Sequence, residues 1–188
     1  MAKNGEFKIG IVGAGGISAA HVGAAKNSGG RVAIVAVADP IAANREKVAA
    51  DTGATAFASL DAMLAARTGG LELDGVVICT PPSVRIKLVK AALAARVAVL
   101  SEKPVAHTLA DARKLAALAA KNPKVPSFVA YCHRFAPAVQ SIKKHIASGK
   151  IGRLVRFENA FACDLPGHET KWFSDPAAAG GGAYLDLS

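Results

Sequence analysis

Up to about residue 131 the apolar residues fall in short, nearly unbroken runs, and the stretches between them carry helical spacing. Residues 7–12 read as a first strand that runs directly into Gly13-Ala14-Gly15-Gly16-Ile17-Ser18. Residues 17–26 then follow a helical pattern, which Ser28-Gly29-Gly30 ends. Residues 31–38 are almost wholly apolar, as expected of a parallel strand covered on both faces, and Asp39-Pro40 closes them. A helix over 44–50 stops near Gly53, a weak strand covers 54–58, and Ser59 caps a short helix over 60–67. The cycle repeats with a strand over 75–79, the turn Thr80-Pro81-Pro82-Ser83, a helix over 84–95 and a strand over 97–100 that ends at Ser101-Glu102-Lys103-Pro104. Thr108 and Asp111 resemble a capping box for an alanine-rich helix through Lys121, and Pro123 and Pro126 mark the turn into 128–131. Strands alternating with helices of this length predict a Rossmann-type α/β fold with a doubly wound parallel sheet.

After about residue 134 the pattern changes. Pro137 suits the first turn of a helix whose Val139, Ile142 and Ile146 share a face, with Gly149 as its stop. Val155, Phe157 and Phe161 then alternate with Arg156, Glu158 and Ala160, which predicts a strand with one buried face. Such a strand belongs to an antiparallel sheet with helices on one side. The expected organisation is a dinucleotide-binding domain over 1–133, then the start of a truncated α+β second domain over 134–188.

Composition narrows the function classes. A chain of 188 residues accommodates one good core and the beginning of another. Its apolar share of 52% owes much to alanine, and no apolar run approaches the length of a membrane span. The polar start lacks the apolar core of a secretory signal, so the cytoplasm is the expected location. Cys79, Cys132 and Cys163 are too widely spaced for a zinc site or a disulfide framework. The net charge of +9 is scattered over helices without a basic tract or interleaved aromatics, which argues against nucleic acid as a partner.

Two motifs carry chemistry. In a glycine-rich strand-to-helix turn the first glycine (Gly13) makes the bend, the second (Gly15) lets backbone approach a pyrophosphate, and a small third residue (Ser18) allows close helix packing. Asp39 ends the next strand, where its carboxylate can accept from an adenosine ribose and repel a 2′-phosphate. NAD is therefore the expected cofactor and NADP the alternative, with Arg45 close to Asp39 in sequence. Asp39 as a plain turn or capping residue is the competing role. Thr80-Pro81 and Glu102-Lys103-Pro104 end successive strands at the same sheet edge, where they can shape a floor beneath a nicotinamide.

With these motifs, and with 131–137, Gly149-Lys150-Ile151-Gly152, Trp172 and Gly180-Gly181-Gly182 through Asp186, the chain resembles the glucose-fructose oxidoreductase, inositol dehydrogenase and rhizopine-catabolism (Gfo/Idh/MocA) oxidoreductases over nearly its whole length. The resemblance implies cofactor contacts from Gly13, Gly15, Gly16, Ile17, Ser18, Asp39, Thr80, Pro81, Glu102 and Lys103. It implies catalytic roles for Lys103 and Asp186, a cis bond before Pro104, and a histidine four residues past Asp186, beyond Ser188. It implies a sugar or polyol substrate and a homo-oligomer at full length. Arg85 stands where that family often has a histidine, and His21, His107, His133, His145 and His168 read as surface or packing residues. The leading expectation is an NAD(P)-dependent oxidoreductase that is inert as this short chain; the alternative is a non-catalytic dinucleotide-binding module.

Overall fold

The computed structural model describes residues 5–158, 160, 167 and 171–180. Six strands form one parallel sheet: β1 (Phe7–Val12), β2 (Val32–Ala38), β3 (Thr55–Phe57), β4 (Gly75–Ile78), β5 (Ala98–Ser101) and β6 (Ser127–Val129). Their spatial order is β3-β2-β1-β4-β5-β6, the doubly wound arrangement expected from the alternation of elements. The connecting helices are α1 (Ser18–Lys26), α2 (Ala42–Thr52), α3 (Leu60–Ala65), α4 (Pro82–Ala94) and α5 (Leu109–Lys121). Local signals set their starts. The Ser59 hydroxyl accepts from the Ala62 N–H and the Thr108 hydroxyl from the Asp111 N–H, each at 3.1 Å, while Pro82 occupies the first turn of α4.

Alternate residues of each strand face opposite layers of core. On one face Val12, Val76, Ile78 and Val99 pack with Met63 of α3, Val89 and Leu93 of α4 and Leu115 of α5. On the other, Ile9, Ile11, Val37 and Val77 pack with Val48 of α2. Gly10 has a packing reason for its missing side chain, because a Cβ there would lie 2.5 Å from the Met63 sulfur. Burial on both faces explains why β1, β2 and β4 are nearly pure apolar runs.

The second half departs from expectation. The helix is present as α6 (Pro137–Ala147), and Phe157 joins Val139, Ile142 and Ile146 along a shallow apolar groove. The strand expected around Val155, Phe157 and Phe161 is not formed among the described residues: positions 154–158 adopt no regular element, and Val155 and Phe157 are 83% and 64% exposed. Phe161 lies outside the described residues. Alternation makes a strand only where another backbone runs alongside to share its hydrogen bonds, and none of the described residues does so. A short helix, α7 (Pro176–Ala179), returns to pack on α4.

Stability should therefore reside in the parallel sheet. Urea unfolding is expected to show a loss of about 3 kcal/mol for Leu93→Ala, the usual cost of emptying a buried leucine site, and less than about 0.5 kcal/mol for Val155→Ala, as for an exposed position.

Candidate functional site

The carboxyl ends of the strands are brought level by backbone hydrogen bonds that continue the ladder past its last residues. Gly13 N–H donates to the Ala38 carbonyl at 2.8 Å, Cys79 N–H to Val12 at 2.7 Å, and Glu102 N–H to Ile78 at 2.9 Å. The turns after β1, β2, β4 and β5 thus line one edge, at the point where connections leave β1 and β4 in opposite directions.

The glycine turn is built as its spacing predicts. Gly13 has φ of +90°, and a Cβ on it would sit 3.0 Å from the Cys79 carbonyl carbon and from Thr80 Cγ2, so only glycine permits this approach between turns. Gly15 and Gly16 are exposed, with nothing within 4 Å of where a Cβ would stand. Ile17 caps α1 with its side chain exposed. Ser18 is buried, and its hydroxyl donates to the Gly15 carbonyl at 2.6 Å, closing the turn against the helix. No acidic residue stands in the first turn of α1, which leaves its positive dipole end open to an anion, while the Ser18, Ala19 and Ala20 N–H groups are engaged by the Gly15, Gly16 and Ile17 carbonyls.

Asp39 is buried beside this turn. One carboxylate oxygen accepts the Ala14 N–H at 2.7 Å and the other the Ile41 N–H at 2.8 Å. The residue read as a ribose acceptor thus also ties the end of β2 to the glycine turn. Each oxygen keeps a lone pair beyond the bond it accepts. Arg45 donates to the Asp39 and Pro40 carbonyls at 3.2 Å, which places its guanidinium at the same corner.

Across the edge, Pro81 caps α4 and Thr80 presents a buried hydroxyl with no hydrogen-bond partner among the described residues. The Thr80 carbonyl accepts from both Nε and Nη2 of Arg85, at 2.9 and 2.6 Å. Nη1 of Arg85 donates to the Glu102 carbonyl at 2.5 Å and also to that of Pro104. Glu102, buried, receives His21 Nε2 from α1 at 2.7 Å on one oxygen and the Lys103 N–H at 3.1 Å on the other. Lys103 is half-buried, and its bond to Pro104 is cis.

Burial alone would raise the Glu102 carboxyl. The hydrogen bond and charge of His21, the Lys103 N–H and the Arg85 charge outweigh it and hold the group below its ordinary 4.5. Burial, reinforced by the Glu102 charge and opposed by Arg85, pushes the Cys79 thiol up to about 12. Cys79 is therefore a packing residue, not a nucleophile.

Asp186, and Gly181 and Gly182 before it, lie outside the described residues. Gly180 does not: a Cβ on it would fall 1.8 Å from the His107 carbonyl oxygen, and its φ is +78°. The segment that leads toward Asp186 therefore starts against the backbone four residues beyond Lys103.

These features fit a dinucleotide. The turn at Gly13 has backbone where side chains would obstruct, and Gly15 and Gly16 leave the approach to the positive end of α1 open to a pyrophosphate. The Thr80 hydroxyl, buried without a hydrogen-bond partner among the described residues, can take one from a ligand. His21, expected as a surface or packing residue, instead holds the buried Glu102 carboxylate, and Arg85, which had no role assigned from sequence, braces two turns. Arg85 was detectable in principle: Pro82, Arg85, Val89 and Ala92 share the buried face of α4, and a charge on such a face must find partners.

Comparison with known proteins agrees with this geometry. Residues 7–131 match the Gfo/Idh/MocA oxidoreductase family, described as an NAD-binding Rossmann fold, and residues 139–188 match the Gfo/Idh/MocA C-terminal domain. The chain is 36% identical over 181 residues to the rhizopine catabolism protein MocA of Rhizobium meliloti, covering 96% of itself and 53% of that protein. It is 30% identical over 150 residues to inositol 2-dehydrogenase of Corynebacterium glutamicum, covering 79% of itself and 43% of that protein. Among solved structures it resembles the WlbA dehydrogenase of Bordetella pertussis in complex with NADH and UDP-GlcNAcA. The TM-score is 0.75 and the identity 30%, over 81% of this chain and 43% of that one. The chain thus spans about half the length of the curated relatives it matches.

The buried carboxylate of Glu102 generates a pH dependence. Because its pKa is lowered in the folded state, its contribution is fully present above 4.5 and is lost as pH falls through the lowered value. Glu102→Gln should cost about 1.5–3 kcal/mol at pH 7, the range for hydrogen bonds to a charged group. The gap from the parent should shrink as urea unfolding is repeated from pH 5 down to pH 3.

Proposed function

The chain belongs to the Gfo/Idh/MocA oxidoreductase family, and from that premise we propose that it is the cofactor-binding half of a dehydrogenase that oxidises a secondary hydroxyl of a sugar or polyol. The observation that carries the proposal is the position of Lys103. It lies at the carboxyl edge of β5, with its amide held by Glu102, on the same edge as the glycine turn and close in sequence to the backbone on which Gly180 rests. When bound, a nicotinamide dinucleotide supplies the hydride acceptor. The chain's part is to hold the pyrophosphate at Gly13–Ser18, offer Asp39 to the ribose, and place the Lys103 ammonium at the substrate hydroxyl to assist its loss of a proton. By the same family resemblance, Asp186 is assigned a catalytic role. Relatives named inositol 2-dehydrogenase, 1,5-anhydro-D-fructose reductase and D-apiose dehydrogenase support a polyhydroxylated substrate.

We also infer that the 188 residues alone bind NAD without turning substrate over, since they span about half of their relatives and leave Val155 and Phe157 exposed. A homo-oligomer is part of the proposal for the longer protein. No helix among the described residues is long and apolar enough to cross a membrane.

Calorimetric titration checks the cofactor assignment. NAD should bind more tightly than NADP, and Asp39→Asn, which removes the charge and keeps one of the two acceptors the turn uses, should narrow the ratio by roughly tenfold. Equal affinities in the parent protein contradict the role given to Asp39.

In a protein carrying the whole second domain, Lys103→Ala should lower NADH production from cyclic polyols and aldoses by at least about 100-fold. Its unfolding free energy should change by no more than about 1 kcal/mol. Binding of NAD with no turnover of any polyol by the parent would favour a dinucleotide-binding module instead.

A further inference from the structure

We propose that Arg85 is a positioning residue for Lys103, acting through the backbone on both sides of it; the proposal rests on the assignment of Lys103 to the reaction. Arg85 is 1% exposed and is the largest fully buried side chain among the described residues, an expensive placement for a cation unless its donors are engaged. They are engaged by carbonyls of two separate turns. Nε and Nη2 grip Thr80 after β4, while Nη1 bridges the carbonyls of Glu102 and Pro104, the residues that flank Lys103. A planar fork reaches both turns at once, whereas an ammonium is a point donor on a flexible stem. The Lys103 amide is meanwhile fixed from the other direction by the Glu102 carboxylate, itself held by His21. The carbonyls of the residues immediately before and after Lys103 are therefore anchored to α4, and one side chain spans the gap between the Thr80 turn and the Lys103 loop.

The geometry assigns Arg85 no contact with substrate, so its removal should affect turnover without weakening cofactor affinity in proportion. Displacement of a reacting group by about 1 Å costs on the order of 100-fold in rate.

The test has two arms. In the 188-residue chain saturated with NAD, Arg85→Gln should accelerate hydrogen exchange at the Lys103 amide at least tenfold. The amides of Val76, Val77 and Ile78 should stay within twofold, and NAD affinity within threefold. In the protein with its whole second domain, kcat should fall about 100-fold with KM for NAD within threefold, Arg85→Lys should not restore it, and methylguanidinium added to Arg85→Ala should restore part of it. Should Arg85→Gln fail to fold, Arg85→Lys carries the exchange measurement, with the same local acceleration expected.

Uniform acceleration across β4 and the Lys103 amide would make Arg85 a packing residue and overturn the proposal, as would unchanged kcat. Absence of any polyol or sugar turnover by the parent protein refutes the reading of Lys103 as catalytic, while the exchange arm still decides whether Arg85 fixes the loop.

Discussion

Every feature of the cleft hangs on the lateral hydrogen bonds that carry the parallel ladder one residue past its strands. Because Gly13 bonds to Ala38, Cys79 to Val12 and Glu102 to Ile78, the four turns that follow these strands emerge at one level. The glycine turn, Asp39, Thr80 and the Glu-Lys-Pro segment are then neighbours although they are far apart in the chain. The helices contribute by packing both faces of the sheet, which keeps those strand ends from sliding.

The buried charges at this edge are satisfied largely by backbone. Asp39 takes two N–H groups of neighbouring turns, Arg85 takes carbonyls of two others, and Glu102 takes the Lys103 N–H as well as His21. Each of these side chains converts an otherwise flexible connection into a fixed one, at a point where the strands can no longer do so. Stability and site geometry here have the same origin, so a substitution that loosens one turn also removes a partner from a buried charge.

Much of the parallel sheet was legible in the sequence, because burial on both faces leaves nearly pure apolar runs and glycine or proline punctuates them. Residues 7–12 and 75–79 were read almost to the residue, and Ser59 and Thr108 marked their helix starts. Gly13 and Ser18 were legible as turn residues for a related reason, since local backbone demands reveal themselves in residue type. His21 and Arg85 were not, because what matters about them is the partner, and that partner comes from a turn elsewhere in the chain. The expected strand at 155–161 failed in the opposite way: its alternation was real, but pairing is a property of two segments and no described segment runs beside it.

The strand order has a consequence in time. β1 is made first but lies at the centre of the sheet, and its neighbour on one side is β4, with Ile9 set against Gly75. While the chain is being synthesised, β1 can associate with β2 and β3 but keeps an open edge until β4 has been made. The bend at Gly13 waits as well, since it leans on Cys79 and Thr80. Non-local pairing of this sort slows folding and leaves a bare strand edge for a longer interval, during which the nascent chain is most exposed to pairing with the wrong neighbour.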